Sequence, residues 1–141
     1  MRKNLDIDGL GDLLDQPLVA VLATYRQDGT VLLSPVWHEY RDGGFNVCTS
    51  SGDVKVRHLR RDPRATLLVA ESRPPYRGVE LRTNATLSFE SVRETVQRIA
   101  IRYLGERAGR SFADSGADDV MLRLDAGAVR AWDFADEMFL F

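Results

Sequence analysis

Cysteine and histidine are scarce in this sequence, which contains one cysteine and two histidines among 141 residues. A single cysteine excludes an internal disulfide and is typical of proteins in a reducing compartment. These three side chains also cannot supply the ligands of a standard zinc site, so we expect no bound metal. Cys48 lies in a predicted strand without a metal-spaced neighbour, and we interpret it as a packing residue.

Long apolar runs are absent as well. No segment approaches the roughly 18 consecutive apolar residues of a transmembrane helix, and no apolar run follows Arg2 and Lys3 as a signal peptide requires. The formal net charge is −2, which gives no global attraction to nucleic acid or to an anionic membrane. We therefore expect a cytoplasmic protein that has no nucleic-acid or membrane partner.

Motifs of covalent catalysis are also missing. The sequence has no Gly-x-Ser-x-Gly, no His-Glu-x-x-His and no Cys–His pair in a catalytic context. The absence of Gly-x-Gly-x-x-Gly argues against a dinucleotide-binding Rossmann fold. If the protein is an enzyme, a cofactor is expected to bring the reactive atom.

What the sequence does contain is a series of strands separated by turn residues. Gly-containing turns at 27–30 and 41–44 join three apolar runs, and three further strands follow among helical segments. Hairpin connections with few helices predict a mainly β, α+β fold: a small six-stranded antiparallel barrel with flanking helices. We predict a single domain over 1–141, with an N-terminal helix at 1–16, barrel strands and a basic helix at 18–90, a helix at 91–109 and a last strand at 119–135.

Two of these elements have clear sequence patterns. Residues Val79 to Phe89 alternate apolar and polar side chains, which predicts a strand with one buried face and one wet face. Ser91 and Glu94 have the spacing of a capping box at the start of a helix. This helix is expected to end near Gly105 or Gly109, and residues 110–119 are predicted to form a polar loop.

The segment Phe45–Arg61 predicts a strand, a polar turn and a short basic helix. A lysine in the first helical turn opposes the partial positive charge there, so Lys55 makes sense if an anion lies between lysine, hydroxyls and helix amides. Alternatively, Asp53 caps the helix by itself and Lys55 is a surface residue. Both interpretations are open from the local sequence. Positive charge is concentrated within ten positions, at Lys55, Arg57, Arg60, Arg61 and Arg64.

An unusual segment, Ser34–His38, interrupts the second predicted strand, which extends from Val31 to Tyr40. Pro35 cannot donate a ladder hydrogen bond, so it marks an edge or a bulge. The free backbone groups can hydrogen-bond a flat heterocycle, or Pro35 can serve simply to protect a sheet edge. His38 alternates with apolar neighbours and is interpreted as a partly buried structural histidine, with a general-base role as the alternative.

Aromatic and basic side chains also occur together near residue 75 and at the end of the last strand. Either group could line a cofactor or form a dimer contact, since Tyr, Trp and Arg are enriched at interfaces. His58, on the basic helix, faces either the anion or solvent. The residues concerned near 75 and in the last strand are Arg73, Tyr76, Arg77, Trp132 and Asp133.

Taken in order, these segments resemble the pyridoxamine 5'-phosphate oxidase-like superfamily, also called flavin/deazaflavin oxidoreductases. The resemblance extends from about Leu18 to Trp132. It implies a split β-barrel of the FMN-binding type and a homodimer with two cofactor sites at the subunit interface. The segments that carry it are Leu22–Thr30, Ser34–Trp37, Thr49–Lys55, Arg57–Arg64 and Pro75–Glu80.

The resemblance also implies positions for the cofactor, most like the branch that binds the deazaflavin coenzyme F-420. The Ser34–Trp37 strand would lie along the ring, and Thr49 and Ser50 would bind the polyol or phosphate. Lys55 matches the phosphate-binding lysine of the family. Arg57 and Arg61 are implied at the phosphate or at the acidic tail of F-420, and Tyr76 and Arg77 at the site from the same or the partner subunit. The implied cofactor-binding residues are Ser34, Pro35, Val36, Trp37, Thr49, Ser50, Lys55, Arg57, Arg61, Tyr76 and Arg77.

One departure from the family concerns Asp53, which stands where that branch usually has an arginine. A carboxylate near a phosphate is repulsive unless it caps the helix and points away.

In function, the resemblance implies an F-420-dependent oxidoreductase that transfers hydride to a small-molecule substrate. The first alternative is an FMN-binding oxidoreductase related to pyridoxamine 5'-phosphate oxidase, although the full substrate-phosphate motif of that enzyme is missing near the C-terminus. The second is a flavin, deazaflavin or haem carrier without turnover, which the lack of an evident acid–base residue favours. No catalytic residue is assigned; His38 and Tyr76 are the candidates for a proton donor.

Overall fold

The protein is described by a computed structural model that covers residues 1–115 and 118–140. Within these residues the chain forms eight β-strands in one antiparallel sheet and three α-helices. The strands are β1 Ala20–Tyr25, β2 Val31–Val36, β3 Glu39–Arg41, β4 Gly44–Ser50, β5 Arg64–Ala70, β6 Gly78–Ser88, β7 Asp119–Leu124 and β8 Ala128–Trp132. The helices are α1 Val54–Arg61, α2 Val92–Leu104 and α3 Glu106–Ala113.

The sheet curls because its longest strand, β6, belongs to both halves. Residues 78–84 of β6 pair with β5, and 78–82 also pair with β8 on the other edge. Residues 85–88 of β6 pair instead with β7. The strand order is β2-β1-β5-β6-β7-β4-β3, with β8 beside β6. The predicted α+β fold, an antiparallel split barrel with flanking helices, is confirmed.

Two of the six predicted strands each divide into two, which gives eight among the described residues. The predicted strand at Val31–Tyr40 breaks at Trp37 and His38, so that β2 pairs with β1 while β3 pairs with β4. The predicted last strand at 119–135 breaks before Gly127, where an added Cβ would lie 2.2 Å from the carbonyl oxygen of Arg82.

The helix predictions need three corrections. The predicted N-terminal helix at 1–16 is instead two 3-10 turns, Ile7–Leu10 and Leu13–Asp15, separated by Gly11 with φ +60°. The predicted helix at 91–109 ends at Leu104, because Gly105 has φ +86°. Helix α3 then occupies the first part of the predicted loop at 110–119, whose residues 116 and 117 lie outside the described chain.

The predicted capping box at Ser91 and Glu94 is wrong. Ser91 is left-handed, with φ +54°, and its side chain makes no capping hydrogen bond. The Ser91 carbonyl oxygen accepts two hydrogen bonds from Thr95, one from its backbone nitrogen at 3.1 Å and one from its Oγ1 at 3.0 Å.

The core lies between the curled sheet and the segments that close it. Leu10 and Leu13 of the two 3-10 turns are buried against it, as are the inward residues of the strands. In β6 the predicted alternation is confirmed at Val79, Leu81 and Ala85, which are buried. It ends before Phe89, which follows the strand and is 60% exposed.

The outer face of β1 and β2 is apolar and exposed. Leu33 is 65% exposed and Val31 is 42% exposed, although both belong to a regular strand pair. Side chains at opposite positions of an antiparallel pair lie on the same face, so these residues form one continuous surface. The pairs that form this outer face are Val21–Pro35, Ala23–Leu33 and Tyr25–Val31.

Helix α2 holds the bend between β2 and β3 in place. Arg102 donates hydrogen bonds to the carbonyl oxygens of Leu14 at 3.0 Å, Gln16 at 2.6 Å and His38 at 3.1 Å. This guanidinium therefore joins the N-terminal segment to the bend that carries Trp37.

Helix α3 packs very closely on α2. A Cβ added at Gly109 would lie 2.4 Å from both the Cα and the backbone nitrogen of Ile101, so only glycine fits here without a shift of the helices. The contact places α3 beside α2 at the side of the barrel. None of the helices formed by the described residues is long and apolar enough to cross a membrane.

Candidate functional site

A cavity of about 400 Å³ lies where β4 ends and α1 begins. Its other walls are the end of β2, the start of β7, and the facing sides of α2 and α3. The volume falls within the range of roughly 300–1,000 Å³ that is usual for small-molecule and cofactor sites. Its apolar wall consists of Pro35, Val36, Trp37, Val96, Ile99 and Phe112, and its polar wall of Cys48, Thr49, Ser50, Lys55, Ser115 and Asp119.

Six of the predicted cofactor-binding residues thus line one cavity, although they come from three separate elements. They are Pro35, Val36, Trp37, Thr49, Ser50 and Lys55.

The ammonium group of Lys55 lies at the polar end of the cavity and is paired with Asp53. The Nζ–Oδ2 distance is 2.8 Å, and only 11% of the lysine side chain is exposed. Asp53 also caps α1, because its Oδ1 accepts a hydrogen bond from the Lys55 backbone nitrogen at 3.4 Å. Each of the two sequence interpretations is therefore partly right: Asp53 caps the helix, and Lys55 faces the cavity.

Asp53 does not point away from Lys55. Its Oδ2 also accepts a hydrogen bond from Thr49 Oγ1 at 3.1 Å. The hydrogen bond from Lys55 is the main reason that the pKa of Asp53 lies below its usual value, so this carboxylate stays ionised at neutral pH.

Two other titratable groups line the cavity. Burial raises the pKa of the Cys48 thiol to about 12, so Cys48 is an uncharged thiol at neutral pH and not a nucleophile. Burial, with a contribution from Asp118, raises the pKa of Asp119, which lies opposite Ser50 in the β4–β7 ladder.

Trp37 forms part of an aromatic group at the apolar wall. Its ring stacks on Tyr103 with 4.9 Å between centroids and an angle of 7° between planes, and it meets Phe112 at 5.4 Å. The β2–β3 bend therefore presents Trp37 to the cavity from a rigid position. Tyr103 was not identified from the sequence as a site residue; the signal that could have singled it out is a hydroxyl on the apolar face of the predicted helix at 91–109.

The Tyr103 hydroxyl explains the state of His38. It donates to the Leu18 carbonyl oxygen at 2.7 Å, so it must accept from His38 Nδ1, which is 3.0 Å away. His38 is completely buried, and its Nε2 has no hydrogen-bond partner among the described residues. Burial, together with the charge of Arg102, lowers the pKa of His38 to about 4. His38 is thus a neutral, buried structural histidine outside the cavity, and it is not placed to act as a proton donor there.

Three other predicted residues do not line the cavity. Ser34 shares the inward face of β2 opposite Leu22. Arg57 and Arg61 lie on the exposed side of α1, where Arg61 donates to the Tyr25 carbonyl oxygen. His58 faces neither an anion nor open solvent: it is buried, with Nδ1 3.0 Å from Thr24 Oγ1.

Arg77 does not line this cavity and forms ion pairs with Glu71 and Asp12. Its Nε is 2.8 Å from Glu71 Oε1 and its Nη2 is 2.9 Å from Glu71 Oε2. Its Nη1 donates to Asp12 Oδ1 at 2.6 Å and to the Leu10 carbonyl oxygen at 2.9 Å. The guanidinium lowers the pKa of Glu71 and joins the 72–77 loop to the N-terminal turns.

The remaining aromatic and basic candidates also lie away from this cavity. Tyr76 has φ +53° and meets the ring of Phe134 edge-on at 6.5 Å. Arg2 Nε donates to Asp133 Oδ1 at 2.8 Å, and the Trp132 ring packs directly over Gly78. A contribution of Tyr76 and Arg77 to a cofactor site remains a prediction that concerns a second subunit.

Comparison with known sequences gives one family. The sequence profile of the pyridoxamine 5'-phosphate oxidase family matches residues 8–133. No curated protein matches the chain.

Comparison with solved structures gives similar folds. A conserved hypothetical protein from Mycobacterium tuberculosis is 26% identical with a TM-score of 0.77, and the match covers 93% of this chain and 86% of that one. A structure named F420 reductase is 22% identical with a TM-score of 0.69, covering 84% and 93% of the two chains. The haem storage protein from Vibrio cholerae is 14% identical with a TM-score of 0.70, covering 90% and 94%.

Proposed function

The chain belongs to the pyridoxamine 5'-phosphate oxidase family, as its sequence motifs predicted, and from this premise we propose that it is an oxidoreductase using the deazaflavin coenzyme F-420. The cavity at Lys55 would hold the coenzyme, and the reaction would be hydride transfer to a small-molecule substrate. One observation supports the proposal. The Lys55 ammonium group, the Thr49 and Ser50 hydroxyls and the irregular end of β2 all line the same cavity.

The donor set of the cavity fits such a coenzyme. Lys55 and Ser50 offer hydrogen bonds to a phosphate and a polyol at one end, and the Thr49 hydroxyl, whose own proton is donated to Asp53, can accept one. The apolar wall of Pro35, Val36 and Trp37 suits a planar ring. Bound F-420 supplies a carbon that carries hydride, and the chain supplies position and exclusion of water.

The choice of F-420 within the family draws on the sequence likeness of 62–64 and 75–80 to the F-420-binding branch and on the F420 reductase among the structural neighbours. The same neighbours include a haem storage protein, so the family fold serves more than one chromophore. A carrier without turnover is the second candidate function. It is favoured by the position of His38, which is buried away from the cavity, and of Tyr76, which does not line it in this subunit.

Titration of the purified protein with F-420, FMN and haem in turn, followed by absorption spectroscopy, tests the proposal. Binding of F-420 in preference to the other two supports it, and exclusive binding of haem or FMN contradicts it. Reduction of the bound coenzyme, followed by its reoxidation in the presence of candidate acceptors, separates an enzyme from a carrier.

Replacing Lys55 with methionine is expected to weaken F-420 binding by at least about tenfold. A hydrogen bond from a charged group contributes about 1.5–3 kcal/mol, and each 1.4 kcal/mol corresponds to roughly tenfold in affinity. The Asp53 carboxylate, left without its partner, adds repulsion. Fluorescence titration measures the change, with Arg60→Met on the exposed side of the same helix as the control. Equal affinities of the Lys55 variant and the wild type would rule out this cavity as the anion site.

We also propose that the protein is a homodimer, and that the outer face of β1 and β2 is part of the interface. Exposed apolar side chains on a continuous face are costly in a monomer and are typical of surfaces that pair. This face carries Leu33 at its centre, and β2 ends in the cavity at Pro35 and Val36. A second copy on this face would therefore lie close to each cavity.

Leu33→Glu is expected to convert the dimer into a monomer, because it places a charge at the centre of the apolar face. Light scattering coupled to size-exclusion chromatography measures the molar mass. Phe89→Glu is the matched control, since Phe89 is also mostly exposed but follows the end of β6 that pairs with β7. A Leu33 variant with the same mass as a dimeric wild type would place the interface elsewhere.

A further inference from the structure

The charge at the polar end of the cavity is not positive overall. Among the described residues that line the cavity, Lys55 has the one cationic side chain, and Asp119 has a carboxylate. A second carboxylate, Asp53, is in direct contact with the Lys55 ammonium group at 2.8 Å. Two carboxylates therefore accompany a single ammonium group.

Asp53 also takes up the donors that a ligand phosphate would use. A phosphate at the start of a helix binds backbone amides, hydroxyls and a lysine. Here one carboxylate accepts from the Lys55 amide, from the Thr49 hydroxyl and from the Lys55 ammonium group. The side chain behaves as an internal anion at the start of α1.

We propose that Asp53 is a specificity-determining residue. Because of its carboxylate, the cavity binds ligands that place a neutral or singly charged group at Lys55 in preference to ligands that place a dianionic phosphate monoester there. The inference rests on the proposed function, since it concerns the choice among coenzymes at the same site.

The physical reason is the charge that each ligand brings next to Asp53. A phosphate monoester has a second pKa of about 6, so it is mostly a dianion at neutral pH. A phosphodiester retains a single negative charge. The repulsion from a fixed carboxylate a few ångströms away is about twice as large for the dianion as for the singly charged diester. The phosphate of FMN is a monoester and that of F-420 is a diester, so Asp53 favours F-420.

Titrations with FMN and riboflavin test this inference, because the two share a ring and differ in the phosphate. Asparagine caps a helix as well as aspartate does, so Asp53→Asn removes the charge and keeps the start of α1. We expect Asp53→Asn to bind FMN at least about tenfold more tightly than the wild type, the change that one charged hydrogen bond provides. Riboflavin affinity is expected to stay unchanged.

Two further variants locate the effect. Asp62→Asn makes the same change of charge at the other end of α1, where Asp62 pairs with Arg64 outside the cavity, and it is expected to leave FMN affinity unchanged. Adding Lys55→Met to Asp53→Asn is expected to abolish the gain, since the freed ammonium group is what binds the phosphate. An equal gain for FMN and riboflavin, or no gain for FMN, would overturn the inference.

Failure of the proposed function gives a different result, namely no binding of any flavin or deazaflavin to either protein. Inorganic phosphate then decides the role of Asp53 by itself. Stabilisation of Asp53→Asn by phosphate in thermal unfolding, with none for the wild type, would support the role of Asp53. Equal responses of the two proteins would refute it.

Discussion

Replacing Arg77 with methionine is expected to lower the free energy of unfolding by about 3 kcal/mol, near the lower end of the range for breaking one side of a buried ion pair. Glu71 is the reason, because only 5% of its side chain is exposed and both of its oxygens are bound by the arginine. Methionine keeps the aliphatic stem and leaves that carboxylate without its counter-ion. The Leu10 carbonyl oxygen loses a donor as well.

Urea denaturation followed by circular dichroism measures the loss. Arg73→Met provides the matched control, since Arg73 lies in the same loop with an exposed side chain, and surface substitutions of this kind usually change stability by less than about 0.5 kcal/mol. Similar stabilities for the two variants would show that the Arg77 network contributes little. A large loss restricted to Arg77 would mean that any effect of this variant on cofactor binding must first be corrected for folding.

The second large effect is a loss of stability in mild acid that depends on His38. The pKa of His38 is about 4 in the folded protein and 6.5 for an unperturbed histidine. Below pH 6.5 the unfolded chain binds a proton at this position that the folded chain does not. Stability is therefore complete above pH 6.5 and decreases as the pH falls toward 4. The difference in pKa corresponds to about 3 kcal/mol at pH 4.

Comparison of the wild type with His38→Asn isolates this contribution. Asparagine can still donate to the Tyr103 hydroxyl from the position of Nδ1, but it does not titrate. We expect the variant to be less stable at pH 7, because a buried ring is lost, and to lose less additional stability between pH 6.5 and pH 4. His58→Asn makes the same change at the other histidine, whose pKa is also lowered, mainly by burial. A His38 variant with the full acid sensitivity of the wild type would contradict the assignment.

The polar end of the cavity could be predicted from sequence because its signals are local. Thr49, Ser50 and Lys55 lie within seven consecutive residues, and a strand, a turn and a helix start each have a recognisable pattern. The local pattern could not predict the net charge at the polar end of the cavity. The contact of Lys55 with Asp53 depends on the rotamers of two neighbours, and the approach of Asp119 depends on the β4–β7 ladder.

Residues whose role depends on distant partners were beyond sequence reasoning. Arg77 lies in a loop with the aromatic and basic residues expected at a binding site. Its partners Asp12 and Leu10, however, are more than 60 positions away along the chain. The sequence likewise does not distinguish Tyr103 from the other residues of its amphipathic helix. Its contacts with Leu18, His38 and Trp37 exist only once α2 lies across the bend between β2 and β3.

The division of the helix at 91–109 shows a related limit. Gly105 and Gly109 were both recognised as helix ends, but glycine has two uses that a single sequence does not distinguish. Gly105 ends α2 with a positive φ, whereas Gly109 lies inside α3 and allows its backbone to approach Ile101. The hydrophobic pattern identifies helical segments more readily than it identifies how two helices cross.

The contact at Gly109 limits the width of the cavity, whereas other residues form its walls. Phe112 and Ser115 reach the cavity from α3 and its C-terminal turn, while Val96 and Ile99 reach it from α2. The distance between the two helices is limited by a glycine that does not itself line the cavity. A larger residue at position 109 would therefore push α2 and α3 apart. It would change the width of the cavity for a bulkier ligand without changing any side chain that lines the cavity.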